Sequence, residues 1–218
     1  GHCNYENNSL LFIDLPGTYS LTARSLDEVV ARNVIINEKP DVIVNVLDAS
    51  NLERNLYLAA QIVELGRPVV IGLNMMDIAD RMGVKINIQK LEQQLGAKVV
   101  PLVGSKNIGT AQLLHAVVEV ARNGEHMKNA TVDYGETLNG PVERLIEKIK
   151  DNGHVDYPLR WLAVKLLEND PDVLEKINSI EGTAPIIAEA SNIRSELQDT
   201  VDLDFVFAEY RHRFAVDV

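Results

Sequence analysis

Apolar positions in this chain fall into short unbroken runs, separated by longer segments with helical spacing. Residues 42–47 (Val-Ile-Val-Asn-Val-Leu) and 68–73 (Pro-Val-Val-Ile-Gly-Leu) are nearly continuous apolar runs, the pattern of strands buried on both faces. Residues 98–102 make a further strand of the same kind. Between and after them, residues 26–37, 50–65, 87–96 and 110–123 read as helices. Ser50 and Glu53 have capping-box spacing, Gly66 stops that helix, Asn87 caps the next, and Gly96 ends it. A shorter run at 10–13 is stopped by Pro16 and Gly17. Cys3-Asn4-Tyr5 reads as its hairpin partner across a loop at 6–9, with asparagine at the left-handed positions.

Strand–helix alternation with connections this short specifies an α/β fold with a parallel, three-layer sheet. Ligands bind such sheets beyond the carboxyl ends of the strands. The polar clusters fall there: 14–17, 48–51, 74–77 and 104–107. The pattern changes after Gly124. Residues 125–140 are polar and read as a linker, and from Pro141 every periodic segment is helical: 142–150, 158–166, a short helix opened by Asp170-Pro171, 185–198 and 203–215. The expected organisation is a first domain at 1–127 and a small all-helical domain at 128–218.

Composition narrows the function classes. Of 218 residues, 46% are apolar and 24% charged, which fits a folded globular protein. Acidic residues outnumber basic ones 32 to 21, and a net charge of −11 repels phosphate backbones, so neither nucleic acid nor an anionic membrane surface is an expected partner. One cysteine, Cys3, excludes a disulfide framework and a cysteine-rich zinc site, and fits a reducing compartment. No apolar run approaches the roughly 18 residues of a membrane helix. No basic segment precedes 10–13, so it is not a signal peptide. His2, His115, His126, His154 and His212 lack partners at metal-ligand spacing. Trp161 with Leu162, Leu166 and Leu167 is a core stripe. Arg211, His212 and Arg213, with Glu209, read as a solvated charged face. No Gly-x-Ser-x-Gly or Cys–His pattern supports nucleophilic catalysis, and no catalytic side chain is assigned.

The candidate chemistry lies at two strand ends. Asn74 and Asp77 place a short amide and a carboxylate three residues apart after a buried strand. A carboxylate there can accept from the N1–H and exocyclic amine of guanine, while the amide reaches the acceptor side of the base; the same two residues also serve as ordinary helix caps. Asp14-Leu15-Pro16-Gly17 follows another strand. In nucleoside triphosphatases an aspartate at such a position holds Mg²⁺, and a glycine N–H approaches the γ-phosphate because no side chain intervenes. Asp14, then Asn74 and Asp77, then Gly104-Ser105-Lys106 occur in the order and strand context of a small GTPase.

At this level the sequence resembles the bacterial ferrous iron transport protein B family. The likeness rests on Ile13-Asp14-Leu15-Pro16-Gly17-Thr18-Tyr19-Ser20-Leu21, similar to the family's switch II, and on Asn45-Val46-Leu47-Asp48-Ala49-Ser50-Asn51-Leu52-Glu53-Arg54-Asn55-Leu56-Tyr57-Leu58, a family hallmark. Leu73-Asn74-Met75-Met76-Asp77 has the family's N-M-x-D form, and Asp156-Tyr157-Pro158-Leu159-Arg160-Trp161-Leu162-Ala163 resembles its helical subdomain. The resemblance implies a small-GTPase-like sheet followed by a helical regulatory domain that tightens GDP binding. It implies that Asn74 and Asp77 read guanine, that Met75 packs on the base, and that Gly104, Ser105 and Lys106 form the loop over it. Asp14 would hold Mg²⁺ through water and Gly17 would meet the γ-phosphate, with Leu15, Pro16, Thr18 and Tyr19 completing switch II.

No G-x-x-x-x-G-K-[ST] occurs; in the resembled family the phosphate loop and the switch I threonine lie upstream of the point that Gly1 matches. The domain is therefore incomplete in its phosphate half, and turnover (GTP to GDP and phosphate) is expected of the intact domain. Thr18 stands where many GTPases keep a water-orienting glutamine, so hydrolysis is expected to be slow. The implied ligands are GTP or GDP with Mg²⁺. The implied partners are the transporter's own membrane helices and further copies of the chain, at the cytoplasmic face of the bacterial inner membrane, where nucleotide state would regulate Fe(II) uptake. Two rivals are a non-enzymatic scaffold with the same fold and a soluble ribosome-assembly-type GTPase, which would not account for the hallmark at 45–58 or the helical tail. In the small-GTPase topology a further strand separates residues 10–13 from 42–47, and an ordered structure is expected to show it.

Overall fold

Three parallel strands organise the first half of the chain in a computed structural model that describes all residues except 23–24, 124–129, 153–154, 200 and 217–218, and the side chains of 204 and 216. They are β3 (Ile43–Asp48), β4 (Val69–Asn74) and β5 (Lys98–Pro101), hydrogen-bonded in the order β3-β4-β5 with Asp48 level with Asn74. The apolar run at 68–73 has the predicted cause, since Val69, Val70, Ile71 and Leu73 in β4 are all buried. Strand β3 instead buries only Ile43, Asn45 and Leu47 on one face and exposes Val46 on the other, because no described strand pairs beyond it. On one face Val70, Val100 and Leu102 pack with Ala116, Val117 and Val120 of α5 (Thr110–Asn123). Against β3 lies α2 (Leu52–Glu64), which buries Leu56, Ala59, Ala60, Ile62 and Val63. Each fully buried Val, Leu or Ile among them contributes about 1.5–3 kcal/mol.

The remaining helices of this unit are α1 (Leu26–Glu38), α3 (Met76–Arg81) and α4 (Ile88–Leu95). Asn87 caps α4 by accepting from the Lys90 N–H, and Gly96, in the left-handed region, ends it, both as the sequence indicates. The capping box expected at Ser50 and Glu53 does not form. The Asp48 carboxylate takes both the Ser50 N–H (2.8 Å) and the Ser50 hydroxyl (2.7 Å), making a 3-10 turn at Ala49–Asn51 before α2 begins. A capping box forms instead at Ser25 and Glu28 of α1.

Two short antiparallel strands, β1 (His2–Tyr5) and β2 (Asn8–Leu11), make a separate hairpin. Its turn has two residues rather than the four expected. Glu6 and Asn7 both take positive φ (46° and 62°), the conformation whose twist suits a tight hairpin. The Asn8 side chain holds it by donating to the carbonyls of Tyr5 (3.2 Å) and Glu6 (2.9 Å). This shifts the strand expected at 10–13 back to Asn8–Leu11 and leaves Ile13 exposed. Among the described residues β2 pairs only with β1, and no strand pairs with the second edge of β3, where Val46 is 56% exposed. The intervening strand expected from topology is thus not formed by described residues of this chain.

The chain divides into two units, Gly1–Thr131 with Ala215–Val218, and Val132–Phe214. The second is all helical: α6 (Gly135–Asp151), α7 (Leu159–Leu167), α8 (Pro171–Asn178), α9 (Ala184–Leu197) and α10 (Leu203–Val216). Helix α6 starts earlier than the linker reading allowed. Leu138 is fully buried beside Val142 and Leu145, so packing carries the helix through Gly140 and Pro141; the part of that linker at 124–129, with His126, lies outside the described residues, as does His154. Asp170 caps α8 by accepting from the Val173 N–H. Trp161, Leu162, Leu166 and Leu167 are buried as read.

Arg211 overturns the solvated-face reading of α10, being 1% exposed. Its guanidinium pairs with Glu168, which also accepts from Lys165 at 2.8 Å. Burial opposes ionisation of Glu168 most strongly, yet Arg211 and Lys165 together overcome it and hold its carboxyl down at about 2. His212 and Arg213 on the same helix do face outward.

Candidate nucleotide site

Strand β4 delivers Asn74 to the carboxyl end of the sheet, where the chain must turn at once into α3. Met75 makes that turn in the left-handed region (φ 62°, ψ 29°), and its side chain is left 41% exposed. Asp77 then falls in the first turn of α3, where the helix dipole favours a carboxylate.

A second loop closes against this turn. The Leu102 N–H donates to the Leu73 carbonyl at 2.7 Å and the Met76 N–H to the Leu102 carbonyl at 3.2 Å, extending the contact between the two chain segments past the strand ends. A 3-10 turn at Gly104–Lys106 follows. The Gly104 N–H donates to Asn74 Oδ1 at 2.9 Å, and Lys106 Nζ meets Asp77 Oδ2 at 2.8 Å. A Cβ on residue 104 would lie 3.4 Å from Asn74 Oδ1, an ordinary van der Waals contact, so the approach of this backbone to Asn74 does not itself demand glycine. Gly109 closes the loop at φ +86°, where a Cβ would stand 2.3 Å from the Pro101 carbonyl oxygen.

The electrostatics follow from these contacts. The hydrogen bond from Lys106 is the main reason the Asp77 carboxyl sits below the usual carboxylate range, so the group is ionised and purely an acceptor. The Asn74 oxygen is engaged by Gly104, which leaves its amide N–H groups as donors. The cluster therefore offers a carboxylate, an amide donor and an exposed thioether within one turn and its facing loop. That set suits a planar ring with donors on one edge and acceptors on another. Ser105 lies exposed in the same loop.

Residues 12–18 run without regular structure after the hairpin, and Asp14, Pro16 and Gly17 are exposed. Among the described residues nothing bonds Asp14 or Gly17 to Asn74, Asp77 or the 104–106 loop. Leu15 is half-buried. The Thr18 hydroxyl donates to the Ser20 carbonyl at 2.7 Å, which occupies it in the local turn. Tyr19 lies under the Arg54 guanidinium, 3.9 Å from its ring centre. Sequence reasoning did not single out Arg54 or its neighbour Gln61 as contacts of this segment. Arg54 at least lay within the hallmark at 45–58.

Comparison with known proteins converges on one family. Residues 1–117 match the family described as Ferrous iron transport protein B, and residues 134–218 match the FeoB cytosolic helical domain. The Fe(2+) transporter FeoB of Escherichia coli strain K12 is 35% identical over 206 residues, covering 91% of this chain and 26% of the relative. The chain thus spans about a quarter of the length of that curated relative. Among solved structures, the cytosolic domain of the T. maritima FeoB iron transporter in a GDP form superposes with a TM-score of 0.83 at 25% identity, covering 100% of this chain and 81% of that one. NFeoB from S. thermophilus bound to mGMPPNP gives 0.81 at 32% identity, covering 94% and 76%.

Proposed function

Since the chain belongs to the ferrous iron transport protein B family, we propose that it binds GTP and GDP at the cluster of Asn74, Asp77, Gly104 and Lys106 and governs Fe(II) uptake by a membrane domain it is joined to. The observation that supports this reading is the cross-linked pair of loops at the carboxyl end of the sheet, already assembled around a Lys106-paired carboxylate and an amide whose oxygen alone is engaged. Asp77 accepts from the guanine N1–H and exocyclic amine, and Asn74 donates to the opposite edge. Met75 covers one face of the base, while Gly104, Ser105 and Lys106 close the other side. The relatives support the ligand class, since their solved structures carry GDP or GMPPNP.

The phosphate half rests on residues 14–19. Asp14 has an exposed carboxylate with no hydrogen-bond partner among the described residues, and the exposed Gly17 offers a backbone N–H beside open space. Among the described residues no three His, Cys, Asp or Glu side chains stand together. Mg²⁺ takes one or two carboxylates and completes its shell with phosphate oxygens and water, and Asp14 would be such a carboxylate. When bound, the ion neutralises charge between the β- and γ-phosphates. Thr18 has its hydroxyl committed to Ser20 and provides no amide to orient water, so hydrolysis is slow. Leu15, Pro16 and Tyr19 form the rest of the segment that responds to the γ-phosphate. The helical unit relays that response to the membrane helices, and no described helix of this chain is itself long and apolar enough to cross a membrane.

Titration of the full-length protein with fluorescent guanine and adenine diphosphates tests the base assignment. A site built to bond a base edge should prefer GDP over ADP by about a hundredfold or more. Equal affinity for the two overturns the reading.

A further inference from the structure

The hallmark at 45–58 takes no part in the nucleotide cluster, yet its helix holds the end of the Asp14 segment at two points. Arg54 stacks on Tyr19 at 3.9 Å, on the protein surface. About two turns further along the helix, Gln61 Oε1 accepts the backbone N–H of Leu21 at 2.7 Å, and here both residues are buried, 3% and 2% exposed. Arg54 and Gln61 are seven positions apart, about two turns, and so lie on one face of α2. Tyr19 and Leu21 are two apart, so the chain leaving Gly17 runs along that face.

Gln61 sits among Ala59, Ala60, Ile62 and Val63, all buried, where an apolar side chain would be the ordinary choice. Its Nε2 is buried with no hydrogen-bond partner among the described residues. A position that tolerates an unpaired N–H keeps its amide for the oxygen, and that oxygen serves Leu21. Helix α2 is in turn fixed to the sheet at its start: Asn55 Oδ1 lies 3.5 Å from the Asp48 N–H and Asn55 Nδ2 donates to the Asn51 carbonyl at 2.7 Å.

We propose that Arg54 and Gln61 are positioning residues for GTP hydrolysis, pinning the exit of the switch on α2 so that only the stretch up to Gly17 is free to move toward the γ-phosphate. This rests on the reading of Asp14 and Gly17 given above. A switch pinned at Tyr19 and Leu21 has fewer conformations to lose on meeting the triphosphate, so its closed form is reached more often. The pins touch neither base nor phosphate, and they act on turnover rather than on GDP binding.

Hydrogen exchange and GTP hydrolysis in the full-length protein test this together. Gln61→Met keeps length and removes the acceptor; amide exchange at Leu21 should speed up by about tenfold, the fold-change of one net hydrogen bond. With it kcat for GTP should fall by about fivefold to tenfold while GDP affinity stays within about twofold, as expected when only a conformational step is lost. Gln61→Glu retains an acceptor and should restore the protection of Leu21. Arg54→Ala should lower kcat in the same way, with recovery in Arg54→Lys, which preserves a cation over the ring. Unchanged exchange at Leu21 in Gln61→Met overturns the proposal, as does faster exchange with unchanged kcat, which would make the contact mere packing. If Gln61→Met fails to fold, the exposed Arg54 pair decides by kcat alone. Asp14→Asn separates the two levels: wild-type hydrolysis in that variant overturns the switch reading itself, whereas lost hydrolysis there with neutral Arg54 and Gln61 variants overturns only the pins.

Discussion

Asn74 reaches across thirty residues of sequence to accept the backbone N–H of Gly104 at 2.9 Å, so the strand end that carries the amide also shapes the loop facing it. One side chain thereby has two tasks, its oxygen organising protein and its nitrogen left for ligand.

Removing that oxygen should loosen the loop before any ligand arrives. Asn74→Ala is expected to cost about 0.5–1.5 kcal/mol, the net value of an intramolecular hydrogen bond. Because the variant also loses the amide donor to the base, its GDP release should speed up by more than the factor of about two to twelve that the loop contact alone accounts for. Stopped-flow displacement of a fluorescent GDP checks it, and an unchanged rate would show that neither the Gly104 bond nor the amide donor of Asn74 holds GDP.

Asp77 should govern which base is accepted. Asp77→Ala is expected to weaken GDP by about 2–4 kcal/mol through lost charge-assisted bonds. Asp77→Asn should shift preference toward xanthine, which presents an acceptor where guanine has its amine. Competition between GDP and xanthosine diphosphate measures both.

Asp14 should distinguish triphosphate from diphosphate. Asp14→Asn is expected to reduce GTP hydrolysis by about tenfold or more with GDP affinity preserved, because its proposed partner is the ion shared with the γ-phosphate. Equal losses for both nucleotides would assign Asp14 a structural role.

Glu168 makes the stability of the helical unit depend on pH. Its carboxyl is held at about 2, against an ordinary value of 4.5, so the folded state binds the proton less readily than the unfolded chain. The stabilisation is fully present above pH 4.5 and is lost as pH falls through that range toward 2. Glu168→Gln removes the carboxylate that the buried Arg211 and Lys165 share, with Asp170 still 3.9 Å from Lys165, and should destabilise the unit by about 3–5 kcal/mol at neutral pH. Urea denaturation at several pH values should show a steep acid loss in the wild type and a flatter one in the variant.

How far the sequence carries is clearest where a single residue type has one local job. Asn87, Gly96 and Asp170 cap or end their helices as read, since capping needs only a side chain and its own next turn. The apolar run at 68–73 becomes β4 because a strand buried on both faces has no polar side to show, whereas β3, from the run at 42–47, buries Ile43, Asn45 and Leu47 on one face and leaves Val46 exposed on the other. Competition between neighbours is harder to read: Ser50 was free to cap a helix until Asp48, two residues earlier, claimed its N–H. Contacts between distant segments leave no local trace at all. Arg211 looks like any surface cation between His212 and Arg213 until Glu168 is placed opposite it, and Gln61 looks like filler until Leu21 arrives. In the candidate site, Asn74 and Asp77 were legible as a pair at a strand end, while the Lys106 bond that ionises Asp77 depends on the loop's return path.

The left-handed turn at Met75 restricts how this position can drift over evolutionary time. Side chains other than glycine enter that region at a cost of about 1–2 kcal/mol, and β-branched ones are genuine outliers there. Unbranched residues, asparagine and glycine can therefore replace one another at position 75 while the backbone path from Asn74 to Asp77 survives. Valine, isoleucine and threonine are barred by the backbone alone, whatever they might offer a ligand. Divergent relatives should show a residue repertoire at this site filtered by torsion angle, with the flanking amide and carboxylate kept in step around it.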